Sequence, residues 1–350
     1  MTEPSLREQV LKYLAPAQGR RVNLKDARHH LNIKPGSADD DNLRQLFSRT
    51  LVKERIVTPS GYNDGSYKVV TQVRPVRVFI PDRTRRPPFK LIFPKDFNTG
   101  MELDFAPHIV VREGDIITLG GVKSKGKTLL CLGFTSENID MRPVLMGNEY
   151  TQITEDGGFD VAPRFLDRLD TMSEWVEWTN GSGEDKFTLL PVSGDYAEHI
   201  EQGKLNIIDW INLDGEKQYD IGKVLEGIKK NLGKGVAIVA LQKGEGALNP
   251  RGGQFVRDFS DVEILLDGFG DYDDDILLTI KGAKEKTQPI VGRTYAYTIA
   301  GRGTKIVGFR EVKKCPHCRS TGWVKGVKCE TCLGNKYIDS ITADIEEIPF

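Results

Sequence analysis

A lysine and a hydroxyl close a glycine-bounded loop in Gly121-Val122-Lys123-Ser124-Lys125-Gly126-Lys127-Thr128, at the end of the apolar run Ile116-Ile117-Thr118-Leu119. Gly121 and Gly126 let the backbone wrap an anion with successive N–H groups, and the apolar run at 129–134 can open a helix whose positive end faces the same anion. In that geometry Lys127 contacts the β- and γ-phosphates of a nucleotide while the Thr128 hydroxyl holds Mg²⁺, so ATP and Mg²⁺ are the expected ligands. A Gly/Lys-rich surface turn is the competing reading, but it leaves the strand before and the helix after unexplained.

Four of the five cysteines stand in Cys315-Pro316-His317-Cys318 and Cys329-Glu330-Thr331-Cys332, with ten residues between the pairs. Each pair can grip one metal from a tight turn, and four thiolates complete a tetrahedron with no open position, which predicts a structural Zn²⁺. Disulfides or a redox dithiol suit the doubled spacing and a reducing setting less well. His317 reads as a loop residue and Cys131 as core. Residues 315–322 and 329–334 resemble the Cys-x-x-Cys-x-Gly-x-Gly knuckles of the DnaJ chaperones, although neither repeat is complete.

The elements that must position these groups fit within 350 residues, enough for two or three domains, and 39% hydrophobic with 28% charged residues is ordinary for a globular protein. There is no apolar run of bilayer length and no basic-then-apolar leader, so a cytoplasmic chain with no membrane segment is expected. A formal net charge of −1 provides no overall basic field for nucleic acid. One local patch exists at 73–103, where Arg74, Arg77, Arg83, Arg85 and Arg86 are interleaved with Pro75, Pro81, Pro87 and Pro88. Those prolines predict an extended linker, either touching nucleic acid or simply solvated.

Residues 1–72 predict helices at 5–14, 24–31 and 41–54, with Val10, Leu11 and Leu14, then Leu43, Leu46, Phe47 and Leu51, at helical spacing. A hairpin follows at 56–70 around Gly61-Tyr62-Asn63-Asp64-Gly65. Three helices and a hairpin resemble a winged helix-turn-helix domain. The resemblance implies that the third helix, with Arg44, Arg49 and Lys53, enters a major groove. Against DNA contact, Asp39, Asp40 and Asp41 would repel phosphate, and such domains also bind proteins.

From 104 to 312 strand and helix patterns alternate, which predicts an α/β core with a mostly parallel sheet covered on both faces. Its strands end in chemistry: residues 143–147 lead to Glu149, Leu205-Asn206-Ile207-Ile208 to Asp209, and residues 236–241 to Gln242. With the P-loop ahead of them and Phe259-Ser260-Asp261-Val262-Glu263-Ile264-Leu265-Leu266 behind, this order resembles the RecA-like ATPases, particularly the hexameric replicative helicases of the DnaB type. The resemblance implies a RecA-like P-loop core in which Glu149 polarises the attacking water, Asp209 orients the Mg²⁺ water shell and Gln242 senses the γ-phosphate. Read from the residues alone, Glu149 could also be a solvated strand-end carboxylate and Gln242 a capping amide.

The same resemblance puts two loops, at 213–218 and 243–253, in a central channel, with Lys217, Lys243 and Arg251 as the cations for single-stranded DNA. It also implies a ring or filament of identical subunits whose cations complete each neighbour's site. Lys284 and Lys286 are the candidates, although the family pattern places an arginine two residues after the lysine, and a solvated turn competes. A zinc-binding module at 313–340 precedes an acidic tail at 341–350. The closing Ile348-Pro349-Phe350 resembles the tip of bacterial single-stranded-DNA-binding proteins, a docking motif for partners; an ordinary flexible tail is the alternative. Together these features predict a nucleic-acid-dependent ATPase, a motor or helicase of replication or recombination. The alternative is a nucleotide-gated DNA-binding regulator with little turnover.

Overall fold

A computed structural model of the chain describes residues 4–60, 65–71, 78–79, 87–211 and 220–340. The chain forms two compact units, Met1–Arg85 and Arg86–Phe350.

In the first unit α1 (Leu6–Leu14) starts at Ser5, whose hydroxyl accepts the Glu8 N–H while the Glu8 carboxylate accepts the Ser5 N–H, a closed capping box. After β1 (Arg21–Asn23), Asn23 caps α2 (Leu24–His30) and Ser37 caps α3 (Ala38–Gln45), which runs on through a π-helical stretch at Leu46–Leu51. The third helix therefore begins at its serine cap, three residues before the expected start. Strands β2 (Val57–Pro59) and β3 (Ser66–Val69) complete an antiparallel sheet in the order β1-β3-β2. Leu43, Phe47 and Leu51, spaced by four, bury one helix face with Val10 and Leu14. Asp40 is buried between Arg28 (2.9 Å) and Arg44 (3.2 Å) and accepts the Gly36 N–H, so it is not a charge presented at the helix start. The hairpin tip at 61–64 lies outside the described residues, as does most of the arginine-rich segment.

The second unit runs β4 (Ile116–Gly121), α4 (Lys127–Glu137), β5 (Val144–Met146), β6 (Thr151–Ile153), β7 (Phe159–Val161), α5 (Pro163–Met172), β8 (Thr188–Leu190), β9 (Leu205–Ile211), α6 (Ile221–Asn231), β10 (Val236–Gln242), α7 (Gln254–Phe259) and β11 (Val262–Gly268). It ends with β12 (Asp275–Ala283), β13 (Thr294–Ala300), β14 (Lys305–Lys314), the small hairpin β15 (Trp323–Val324) and β16 (Val327–Lys328), and β17 (Tyr337–Asp339). A ten-stranded sheet has the order β17-β14-β13-β12-β11-β4-β10-β9-β5-β8. From β11 to β8 every neighbouring pair is parallel, as the alternation of strands and helices predicts. From β11 to β17 the pairs are antiparallel, because turns and loops, and between β14 and β17 the cysteine module, join those strands in place of helices.

Parallel strands buried on both faces show no polar alternation, yet their side chains still divide with period two. Ile117, Leu119, Ile207 and Ile238 pack on the α4 face, whereas Ile116, Ile208, Ala237 and Val239 pack beneath α6. The stretch 87–103, assigned to the linker by its prolines, is part of this unit: Phe93 and Leu103 are core. Asn138, just beyond α4, fastens that stretch, giving its side-chain amide to the Ile92 carbonyl (2.7 Å) and accepting the Ile92 N–H (2.9 Å). The four cysteines lie between β14 and β17, so their module is spliced into the sheet edge and does not trail behind it. Among the described residues no helix is long and apolar enough to cross a membrane.

The Gly36 N–H, aided by Arg28 and Arg44, holds the Asp40 carboxyl below its ordinary range against the opposing effect of burial. The unfolded chain therefore binds this proton more tightly, and the stability Asp40 contributes is complete above the unfolded value, about pH 4, and is lost as pH falls through the lower folded value. Asp40→Asn is expected to lower the melting temperature of the first unit at pH 7 and to flatten its decline below about pH 4, as followed by circular dichroism of residues 4–71.

Candidate phosphate-binding site and metal centre

The loop between β4 and α4 is shaped by backbone that side chains resist. Gly126 has φ 83°, and a Cβ there would stand 2.9 Å from the Tyr297 hydroxyl, so only glycine turns the chain into the helix. Lys127, 7% exposed, curls back over its own loop and gives its ammonium to the carbonyls of Gly121 and Val122, each at 2.9 Å. Burial lowers its pKa, while Asp209 and Glu149 pull it upward. The neighbouring Lys125 leaves the loop on the other side, donating to the Asp273 carbonyl (2.7 Å) and side chain (3.2 Å).

Asp209 lies near the end of β9, 2% exposed. Burial raises its pKa, and the Tyr150 and Thr128 hydroxyls oppose that rise. Tyr150 donates to Oδ2 at 2.6 Å, whereas Oδ1 is buried without a partner among the described residues. Glu149 stands exposed just beyond β5 and accepts the Trp210 indole N–H on Oε1 at 3.1 Å. Gln242, the last residue of β10, pairs in register with Gly121. Lys127, Thr128, Asp209, Glu149 and Gln242 thus gather at the carboxyl edge of adjacent strands β4, β10, β9 and β5. Gly121 and Gly126 bound the loop beside them. A cationic loop at a helix start, next to a carboxylate oxygen with no donor, can hold a phosphate and a hydrated divalent cation.

The other expected cations fall elsewhere. Lys243 is 2% exposed and ion-paired with Asp267, so it offers solvent no charge. Arg251 is exposed beside it, its N–H bonded to the Gln242 carbonyl (2.9 Å). Lys217 lies outside the described residues. Lys284 is ion-paired with Asp261 (2.9 Å), and Asp261 also accepts the N–H of Ile116, the first residue of β4. Lys286 is exposed and donates to the Ala283 carbonyl (3.3 Å). Both lysines sit at the amino edge, one strand length, roughly 17 Å, from the loop of their own chain. They cannot serve that loop in cis.

Cys315, Cys318, Cys329 and Cys332 are buried with their sulfurs all within 4.8 Å of one another. Cys315 and Cys329 are 3.9 Å apart, Cys318 and Cys332 3.6 Å, and none is in a disulfide. Thiolates about 2.3 Å from a tetrahedral Zn²⁺ stand about 3.8 Å from one another, so the cluster fits that ion. The Gly322 N–H donates to Cys318 Sγ at 3.3 Å, stabilising sulfur as thiolate. His317 is exposed and outside the cluster.

No protein-family model matches this sequence, and no curated protein matches it. The fold and the geometry of the site therefore carry the functional argument. Sequence reasoning overlooked Tyr150, Trp210, Asp267 and Asp273. The first two were readable, since each directly follows an acid already singled out. The two aspartates depend on which strands become neighbours.

One equivalent of zinc per chain is expected by elemental analysis. Cys318→Ser together with Cys332→Ser should reduce it to near zero and lower the melting temperature of the second unit, since the metal closes the loop that carries β17 back to the sheet.

Proposed function

We propose that the chain is an ATP hydrolase of the RecA-like class, a DnaB-type motor driven by nucleic acid in replication or recombination. The observation that carries this reading is that Lys127 at the start of α4, Asp209 near the end of β9 and Glu149 just beyond β5 gather at one edge of the sheet. Acyl or redox chemistry needs no such combination, whereas phosphoryl transfer requires phosphate held by N–H groups and lysine, an acid for the metal, and an acid for water.

In this reading the loop N–H groups and Lys127 bind the β- and γ-phosphates, the lysine exchanging two carbonyls for phosphate oxygens. Thr128 and Asp209 hold Mg²⁺, which would neutralise charge on the transferred phosphoryl group. Glu149 accepts a proton from the water that attacks the γ-phosphorus as the bond to the β-phosphate oxygen breaks. Gln242, level with Gly121, is the candidate reporter between that phosphate and the loop at 243–253, where Arg251 is the exposed cation. Lys284 and Lys286, remote from their own loop, suit service to a neighbouring subunit, which favours a ring or filament. The three helices and antiparallel sheet of the first unit support reading it as a winged helix.

The test is steady-state ATP hydrolysis with and without single-stranded DNA. Stimulation by the DNA is expected; Lys127→Ala should abolish nucleotide binding, and Glu149→Gln should keep binding while lowering kcat about 10²–10⁴-fold. Nucleotide binding with no turnover under either condition would overturn the motor and favour a nucleotide-gated regulator.

A further inference from the structure

The two acids at the ends of β5 and β9 are each held by the residue that follows the other. Glu149 precedes Tyr150, and the Tyr150 hydroxyl donates to Asp209; Asp209 precedes Trp210, and the Trp210 indole donates to Glu149. The crossing needs close backbone approach. A Cβ on Gly147 would lie 2.3 Å from the Asp209 carbonyl oxygen, so only glycine lets the chain leaving β5 run this near the end of β9.

The Tyr150 bond is buried. Tyr150 is 2% exposed, its ring tilted against Phe165 of α5 at 4.5 Å, so the packed ring fixes where its hydroxyl points. Burial keeps that hydroxyl protonated well above neutral pH, and it remains a donor. Its bond occupies Asp209 Oδ2 and leaves the buried Oδ1 without a partner among the described residues. Tyr150 thus anchors the carboxylate through Oδ2 and leaves Oδ1 as the oxygen available to a ligand. Trp210 is half-buried, and its N–H restrains the otherwise exposed Glu149.

We propose that Tyr150 and Trp210 are the positioning residues of this centre, Tyr150 presenting Asp209 Oδ1 to the Mg²⁺ water shell and Trp210 holding Glu149 in line for the attacking water. The proposal rests on the roles given above to those two acids. It assigns the aromatic pair no contact with nucleotide, so the loss of either donor should leave phosphate binding intact. Outer partners of metal-binding carboxylates are worth about 10–100-fold in metal affinity or activity.

The experiment uses the full chain and fluorescent N-methylanthraniloyl-ATP, titrated with Mg²⁺, beside steady-state hydrolysis. Tyr150→Phe removes one oxygen and is expected to raise the Mg²⁺ midpoint at least about tenfold without changing nucleotide affinity in the absence of Mg²⁺. Trp210→Phe is expected to lower kcat about tenfold at unchanged KM. A packing role would move melting temperature and both constants together, which the split between them excludes. A Mg²⁺ midpoint and a kcat within twofold of wild type in the two variants would overturn the proposal. Lys127→Ala separates the failures: if it abolishes nucleotide binding while both aromatic variants match wild type, only the positioning role falls. If it binds nucleotide normally, the loop is not the phosphate site, and the roles given to Asp209 and Glu149 fall together with this proposal.

Discussion

Six neighbouring strands running in one direction, β11, β4, β10, β9, β5 and β8, deliver their carboxyl ends to a single edge of the sheet, and the candidate chemistry leaves from that edge. The register makes this more than a tendency. Gly121 is level with both Gln242 and Leu266, so the glycine loop emerges between two strand ends at the same height. Asp209 and Glu149 follow on the next strands outward. No side chain has to reach far, since the parallel hydrogen-bond ladder has already brought residues more than a hundred positions apart to one place. The price of that arrangement is burial: β4 is buried along its whole length, and α4 above it buries Leu129, Leu130, Cys131, Leu132 and Phe134.

Burial sets the electrostatics of the site. A lysine ammonium and an aspartate close together out of water would each be costly alone, and their charges offset one another only in part. Lys127 meets this by taking two loop carbonyls. Asp209 meets it through the Tyr150 hydroxyl on Oδ2, with the Thr128 hydroxyl and Lys127 also favouring its charged form. A buried carboxylate oxygen without a donor among the described residues, such as Asp209 Oδ1 or Glu263 Oε1, is a destabilising feature of the order of 1–3 kcal/mol. At Asp209 the unpartnered oxygen lies at the edge where the glycine loop emerges, so a bound cation there would relieve the cost.

Much of this was legible before any coordinates. The loop, the acids and the Gln242 strand end could be ordered along the chain because each ends an apolar run, and the cysteine pairs declared a tetrahedral cluster by spacing alone. What could not be read was lateral. Lys243 looks like a free cation in a glycine-rich loop; it is neutralised by Asp267 because β10 and β11 flank β4, whose last residue, Gly121, carries no side chain to intervene. The segment 87–103 carried its signal in Phe89, Leu91 and Phe93, an alternation of apolar residues, but the adjoining prolines and arginines concealed it. The antiparallel end of the sheet was obscured for a related reason: strands joined by turns and strands joined by helices have the same apolar content, and only connection length distinguishes them.

The cysteine module shows how that antiparallel end bears on the loop. The chain leaves β14 through Cys315 and returns in β17, where Tyr337 packs against Phe269 with ring centroids 6.5 Å apart. Phe269 opens the turn between β11 and β12, and the same turn contacts the module again through Asp271 and Lys328 (3.4 Å). Its other side holds Lys125 of the glycine loop through Asp273. These exposed ion pairs contribute little to stability, but they define position. The turn that bears Asp271, Asp273, Asp274 and Asp275 is held by aromatic packing against the cysteine module on one side and by a lysine on the other. A metal held by the four cysteines would thus bear on the glycine loop, because their module packs on the turn that Lys125 grasps.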